Sequence, residues 1–158
     1  MSGFTAIPPA PTLPVADSIV GDGWWPAFSL AAFKIAARVP GTVTDARARE
    51  AVIGGMLSAQ AELTGWHADR LAAGDASLAA VTIGGTIDGE ARAMILYRRA
   101  VYAYAAADLA ESHDDIGASD IGRHRTQERA AGGTELLRTA TLAIRDLLGK
   151  RRSKVALL

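Results

Sequence analysis

Acidic and histidine side chains gather in one stretch of the chain, where their types would suit metal binding. The stretch holds Glu111, Asp114, Asp115 and Asp120, with His113 among them. Converging carboxylate oxygens bind divalent cations, but this spacing matches no calcium-binding loop. A solvated helix end is therefore the favoured interpretation, and no metal-binding residue is predicted.

The same stretch also raises the question of acid/base catalysis. His113 and His124, each near acids, are the right residue types for a general acid and a general base. No serine or threonine stands near them in a recognisable catalytic motif, so no catalytic residue is predicted. A small helical enzyme built on His113 is the least favoured of three functional hypotheses. His67 falls on the flank of a predicted helix and is interpreted as a surface or core residue.

Glycine and cysteine usage exclude further chemistries. Gly84-Gly85 is followed by Thr86-Ile87-Asp88 and lacks the lysine of a phosphate-binding loop. The chain has no cysteine, which excludes disulfides, thiolate metal sites and a cysteine nucleophile. We therefore expect no cofactor and no enzymatic activity.

Composition predicts a helical domain without a membrane segment. The chain has 158 residues, of which 49% are hydrophobic and only 6% aromatic, and many of the apolar residues are alanine. Small apolar side chains favour closely packed helices. No stretch approaches 18 uninterrupted apolar residues and the N-terminus lacks signal-peptide features, so we expect a soluble protein. The formal net charge of zero gives the whole chain no bias toward nucleic acid.

The two ends of the chain differ from its middle. Residues 1–23 are predicted to form an extended arm, because prolines such as Pro8, Pro9 and Pro11 fix φ and lack an N–H. Residues 150–158 carry four cations and no acid, so the rest of the chain has a net charge of −4. The cations precede an apolar end, and the side chains of interest in this tail are Lys150, Arg151, Arg152, Lys154, Val155, Leu157 and Leu158.

Between these ends, residues 24–149 are predicted to form one helical domain. A short helix follows Ser29 as N-cap, and a second begins at Thr44 or Asp45 and ends before Gly74. Gly54-Gly55 lies inside the second helix, where close approach of another helix would offset its cost. Trp24 and Trp25 are either a cap on the core or a contact surface.

Two further helices complete the predicted bundle. Asp88 is expected to cap a third helix whose apolar stripe is Met94, Tyr97, Val101, Ala105 and Leu109. Residues 117–133 are ambiguous between loop and helix. A last helix is expected from Thr134 to Leu148, closed by Gly149. Its apolar side would consist of Leu137, Ala140, Ile144 and Leu147.

A series of short sequence motifs, called words here, occurs in a definite order between Asp45 and Lys150. They are Arg49-Glu50-Ala51-Val52, Gly55-Met56, Ala61-Glu62-Leu63, Leu71-Ala72-Ala73-Gly74, Ile87-Asp88-Gly89-Glu90, Tyr97, Arg99-Ala100-Val101, Ala106, Leu109 and Gly149-Lys150. This series, about two-thirds of the chain, resembles the head completion (head-stabilisation) proteins of temperate phages with contractile tails. The Pro-rich arm and the tryptophan pair do not match the family pattern in detail.

The resemblance implies an all-α structural adaptor without catalytic residues. Such proteins form a ring, usually twelvefold, beneath the portal protein, seal the head, and present a surface to the next neck or tail-terminator protein. It implies a protein made in the bacterial host cytoplasm and located in the virion neck, where DNA passes through the ring without specific recognition.

Contact residues are predicted for both ends of the chain. The tail residues Lys150 to Leu158 named above are expected to dock on the portal. Pro8, Pro9, Pro11, Trp24 and Trp25 are expected to contact a neighbouring subunit or another neck protein. The alternative function is a small helical nucleic-acid-binding packaging or regulatory factor, which the absence of a densely basic helix face disfavours.

Overall fold

The computed structural model describes residues 17–112 and 120–150, without the side chains of residues 112 and 120–131. Four helices dominate: α1 (Leu30–Ala36), α2 (Asp45–Ala72), α3 (Arg92–Ser112) and α4 (Asp120–Leu147). Two antiparallel strand pairs are minor additions, β1 (Ser18–Ile19) with β2 (Phe28–Ser29) and β3 (Thr86–Ile87) with β4 (Glu90–Ala91). A 3-10 turn spans Leu78–Ala80. The predicted helical bundle is confirmed.

The first helix begins as its sequence predicts. The Ser29 hydroxyl accepts a hydrogen bond from the Ala32 N–H, which satisfies one of the unpaired donors of the first turn. Asp17 adds two more acceptors from outside the helix: its backbone carbonyl binds the Leu30 N–H and its carboxylate binds the Ala31 N–H, both at 2.8 Å. The strand pair β1–β2 therefore holds the start of α1.

The second helix has both predicted ends. The Thr44 hydroxyl accepts from the Arg47 N–H, and Gly74 adopts a positive φ of 91° just after the last turn. One of its two adjacent glycines lies against α3. A Cβ on Gly55 would stand 2.5 Å from the Val101 carbonyl oxygen, whereas a Cβ on Gly54 would meet nothing within 4 Å. The predicted close approach is confirmed for Gly55 alone.

The start of the third helix differs from the prediction. Asp88 does not cap it, because Asp88 and Gly89 form the two-residue turn of the β3–β4 hairpin, with φ of 52° and 74°. Positive φ at both turn residues matches the right-handed twist of the paired strands. The helix begins at Arg92 instead, and Glu90 lies in β4 rather than in the first helical turn.

The fourth helix is longer than predicted. It runs without a break from Asp120 to Leu147, so Thr134 lies inside it and does not cap it. Gly132 and Gly133 are also helical, and α4 packs along α3 more extensively than any other pair of elements in the described part of the chain. Tertiary packing therefore outweighs the poor helix propensity of these glycines.

The core collects the apolar side chains that the helical periods predict. Tyr97, Val101, Ala105 and Leu109 of the α3 stripe are buried, while Met94 is half-buried. Ala140, Ile144 and Leu147 of α4 are buried, but Leu137 is 40% exposed and was wrongly placed with them. None of the helices in residues 17–112 and 120–150 combines the length and apolar content that crossing a bilayer requires.

Candidate interaction surfaces

The junction between α4 and the C-terminal tail, Gly149 and Lys150, which we call the tail root, is hydrogen-bonded to the end of α4. Gly149 adopts a positive φ of 69°, and the Lys150 N–H donates to the Arg145 carbonyl oxygen at 2.9 Å. This is the helix-ending geometry that glycine permits. Lys150, the last described residue, is exposed.

An apolar groove opens beside this tail root. Its volume is about 210 Å³, and its walls come from the end of α2, the loop before β3, the start of α3 and the end of α4. Prominent lining residues are Trp66, Ile83, Arg92, Leu96, Leu147 and Leu148. The groove thus places apolar surface next to the first cation of the tail.

The β3–β4 hairpin is a second exposed feature near this end. Ile87 of β3 is 57% exposed, and Ile83 in the loop before β3 is 58% exposed, although both are large aliphatic side chains. The hairpin is tied to α3 by a bidentate pair in which the Arg98 guanidinium donates to both Glu90 carboxylate oxygens, at 2.7 and 2.8 Å. Such a fork fixes geometry as well as adding energy, so the hairpin presents Ile87 from a fixed position.

A third surface lies around α1. This helix buries Leu30 and Phe33, yet Ile35 on its outer side is 80% exposed. A groove of about 380 Å³ runs between α1 and α3. We call it the α1–α3 groove. Its lining residues include Pro26, Phe28, Ala32, Ala36, Met94 and Tyr102. Apolar surface of this kind on a helix marks a place where another segment binds.

Two of the predicted contact residues, Trp24 and Trp25, are buried in the domain. Trp24 and Trp25 are 8% and 4% exposed, with the Trp24 Nε1–H donating to the Asp75 carbonyl oxygen at 2.9 Å. Their rings pack on one another, and the Trp25 ring stacks on that of Tyr97 at 4.6 Å. The pair therefore forms part of the core, which is the first of the two alternatives that the sequence left open.

The other predicted contacts lie mostly outside the described residues. Pro8, Pro9 and Pro11 do so, as do Arg151, Arg152, Lys154, Val155, Leu157 and Leu158 of the tail. Lys150 alone among these is described. The sequence reasoning missed the apolar grooves, because their lining residues come from elements far apart in the chain.

Most of the side chains that raised the question of chemistry lie outside the described part of the chain. His113, Asp114 and Asp115 lie outside the described residues, and so do the side chains of Asp120 and His124. Among the described side chains, no three His, Asp or Glu residues converge as metal ligands would. His67 packs its ring against Trp24 and Trp25, at 4.1 and 5.0 Å between centroids. Its position is that of a structural residue in the core wall.

Two tyrosines of the described domain have strongly raised pKa values. Burial raises the pKa of Tyr97 to about 12, and the hydrogen bond that Gln60 donates to its hydroxyl at 2.9 Å lowers it only in part. Burial also raises the pKa of Tyr104 to about 12, aided by its hydrogen bond to Glu62. Both phenols are neutral packing groups at physiological pH.

Several basic side chains of the described domain form ion pairs with acids. Arg47 pairs with Asp108 at 2.8 Å and Arg98 with Glu90 at 2.7 Å. Arg70–Asp75 and Arg138–Glu135 are longer pairs. A duplex-binding face needs cations that are available to phosphate. The nucleic-acid alternative stays a prediction.

Residues 19–158 match the family model described as phage head completion protein (GPL). The chain belongs to this family. It is also 36% identical over 119 residues to the head completion/stabilization protein of Escherichia phage P2, an overlap that covers 75% of this chain and 70% of the relative. No solved structure matches it. The resemblance drawn from the series of words is confirmed.

Family membership indicates which kind of functional site to expect on these surfaces. A head completion protein is a structural component of the phage particle, so surfaces for other proteins are the functional sites to expect. The family match begins at Ile19, within β1, and therefore leaves residues 1–18, with their prolines, outside it. The tail and the hairpin lie inside the matched span.

Proposed function

We propose that this protein forms a ring between the portal protein and the tail. The ring, a dodecamer, seals the DNA-filled head in the virion neck and provides the surface to which the next neck or tail-terminator protein attaches. Membership in the head completion family carries this proposal. Subunits are made in the host cytoplasm and join the particle after DNA packaging.

The C-terminal tail is proposed as the portal-docking segment. Its docking residues are Lys150, Arg151, Arg152, Lys154, Val155, Leu157 and Leu158. The rigid turn at Gly149 supports this role, because it gives every subunit the same exit direction for the tail. Cations followed by an apolar end suit a partner groove that combines acidic and apolar surface. The apolar groove at the tail root extends that contact surface on the domain itself.

The arm is proposed to supply contacts between neighbouring subunits or with another neck protein, through Pro8, Pro9 and Pro11. Trp24 and Trp25 would take part only through the small exposed fraction of their rings, 8% and 4%. The net charge of zero supports passage of the genome, because a strongly basic ring would retain DNA through its phosphates.

Capture of the purified portal protein tests the docking role. A variant that ends at Lys150 should lose portal binding, while its circular dichroism and unfolding midpoint stay those of the full chain. Arg152→Glu should weaken binding at low salt, and Leu157→Asp should weaken it at any salt. Arg99→Glu, which makes the same charge change at an exposed position on α3, is the matched control and should bind normally.

Portal binding that is undiminished by removal of residues 151–158 would exclude the docking role of the tail. Assembly is tested separately by mixing the full chain with portal rings and imaging the product by electron microscopy. A second ring, with as many subunits as the portal, is expected below it. The absence of any ring on a portal that binds the protein would contradict the adaptor function itself.

A further inference from the structure

The described part of the chain begins beside the α1–α3 groove, at the start of β1. Asp17, the first described residue, is hydrogen-bonded to the start of α1. Ser18 then pairs with Ser29, and Ile19 with Phe28, so the chain enters the domain beside two residues that line the groove. Burial raises the pKa of Tyr102, on the opposite wall of the groove, and the negative charge of Asp17 adds to this shift.

The groove has the lining that an extended proline-rich segment needs. Proline-rich segments in the polyproline II conformation bind aromatic-lined apolar grooves, because they have no internal hydrogen bonds to lose and little entropy to surrender. Here Phe28 and Tyr102 supply the aromatic walls, and Pro26, Ala32 and Met94 supply aliphatic ones. The volume of about 380 Å³ is within the range of ligand pockets, roughly 300–1,000 Å³.

The arm has the composition of a segment that packs rather than one that is solvated. Residues 1–16 contain no Asp, Glu, Lys or Arg, although 22% of the whole chain is charged. They contain four prolines together with Phe4, Ile7, Leu13 and Val15. Solvated tails are usually rich in charge and poor in apolar residues. Burial of the arm on apolar surface would remove both surfaces from water.

The arm is also long enough. From Pro8 to Asp17 the chain advances nine residues, which span roughly 28 Å at about 3.1 Å per residue in a polyproline II conformation. Helix α1 has seven residues and is therefore only about 10 Å long. Because the arm continues into β1, which pairs with the groove residues Phe28 and Ser29, its effective concentration at the groove is on the order of millimolar. A weak contact is enough to keep it bound.

We propose that residues 7–14 bind in the α1–α3 groove of the same chain and cover the apolar surface of α1 and α3. The bound arm presents its own outer side to the surroundings. Contacts of Pro8, Pro9 and Pro11 with other subunits would be made from this position. The inference does not depend on the ring or on portal docking, because it concerns the isolated subunit.

The experiment uses the absence of cysteine in the full chain. Ala10→Cys carries a nitroxide spin label, and methyl resonances are recorded in dilute protein before and after the label is reduced. The methyl signals of Ala32, Ala36 and Met94 should be lost with the oxidised label and recovered on reduction. Ala32→Glu, which places a carboxylate in the groove, should restore the signals of Ala36 and Met94. Ala61→Glu, at another exposed helical alanine, should not.

Two results would overturn the proposal. If these methyl signals keep their intensity with the oxidised label, the arm does not bind the groove. If spin-labelled chains without isotope cause the same loss in unlabelled, isotope-enriched chains, the arm binds a second copy rather than its own chain. As a further check, a synthetic peptide of residues 1–16 should shift the same methyl resonances in a variant that begins at Asp17.

Discussion

Gly55 of α2 lies directly against the backbone carbonyl of Val101 in α3. A Cβ at Gly55 would stand 2.5 Å from that oxygen and 3.2 Å from the Ala105 nitrogen. Backbone atoms cannot move aside as a flexible side chain can. The contact therefore fixes the distance between the two helices.

Gly55→Ala should destabilise the protein by about 1–3 kcal/mol, because the added methyl group overpacks the contact between α2 and α3. Its neighbour provides the control. Gly54→Ala should raise the free energy of unfolding by up to about 1 kcal/mol, since Gly54 is exposed and alanine is the better helix former. Urea denaturation of the two variants measures both effects. Shifts of the same sign would contradict this account of the helix contact.

Stability should fall between about pH 10 and pH 12 because of Tyr97. Burial raises its pKa to about 12, whereas tyrosine in an unfolded chain titrates near pH 10. The neutral phenol is favoured in the folded state, so its contribution is fully present below pH 10 and is lost as the pH rises through 12. The loss amounts to roughly 2–3 kcal/mol.

Tyr97→Phe separates this contribution from the other tyrosines. The variant should lose less unfolding free energy than the parent between pH 9 and pH 12 in guanidinium titrations. Tyr104 keeps its own contribution, which is smaller in effect because its side chain is partly exposed. An equal alkaline loss in both proteins would show that Tyr97 ionises without unfolding cost.

Trp25 distinguishes a core role from a contact role. Trp25→Ala should cost about 3–5 kcal/mol, because a 4% exposed ring that stacks on Tyr97 is replaced by a cavity. Leu57→Ala, at a side chain that is 65% exposed, should change stability by less than about 0.5 kcal/mol. Chemical denaturation followed by circular dichroism compares them. Normal stability combined with lost neck assembly would instead identify Trp25 as a contact residue.

The Glu90–Arg98 pair should hold the hairpin more than it stabilises the fold. Both side chains are partly exposed, so Glu90→Gln should cost only about 0.5–1 kcal/mol. The hairpin amides from Thr86 to Ala91 should nevertheless exchange faster with solvent. Glu135→Gln, in the exposed Glu135–Arg138 pair of α4, is the control and should leave the hairpin unchanged. Unchanged hairpin exchange in Glu90→Gln would show that the turn alone fixes the hairpin.

Local signals allowed the first three helices to be anticipated. Ser29 and Thr44 cap helices through their own hydroxyls, and Gly74 ends one through its positive φ, so each acts within a few residues. The apolar stripe of α3 is likewise visible in its period. The Asp88-Gly89 turn signal was also present and was misread as a helix cap, although Asp-Gly between short β-prone segments is typical of a hairpin.

The remaining features depend on contacts that are distant in sequence. Helix α4 continues through Gly132 and Gly133 because it packs on α3, and no local propensity predicts this. The grooves are made by residues from three or four elements each. Trp24 and Trp25, which were predicted as contact residues, are buried in the core around Tyr97. The sequence could not show that these rings form one cluster, because Tyr97 is about seventy residues away.

Asp17 joins two parts of the fold that could not persist alone. A helix of seven residues is too short to be stable in water, and a strand pair of two residues on each side is no more stable. Because Asp17 binds the first two amides of α1 while its neighbours form β1, loss of either element releases the other. The two should open as one cooperative unit in native-state hydrogen exchange, below the global unfolding free energy. A mechanical force applied to the N-terminus should therefore unfold α1 first, before the long helices separate.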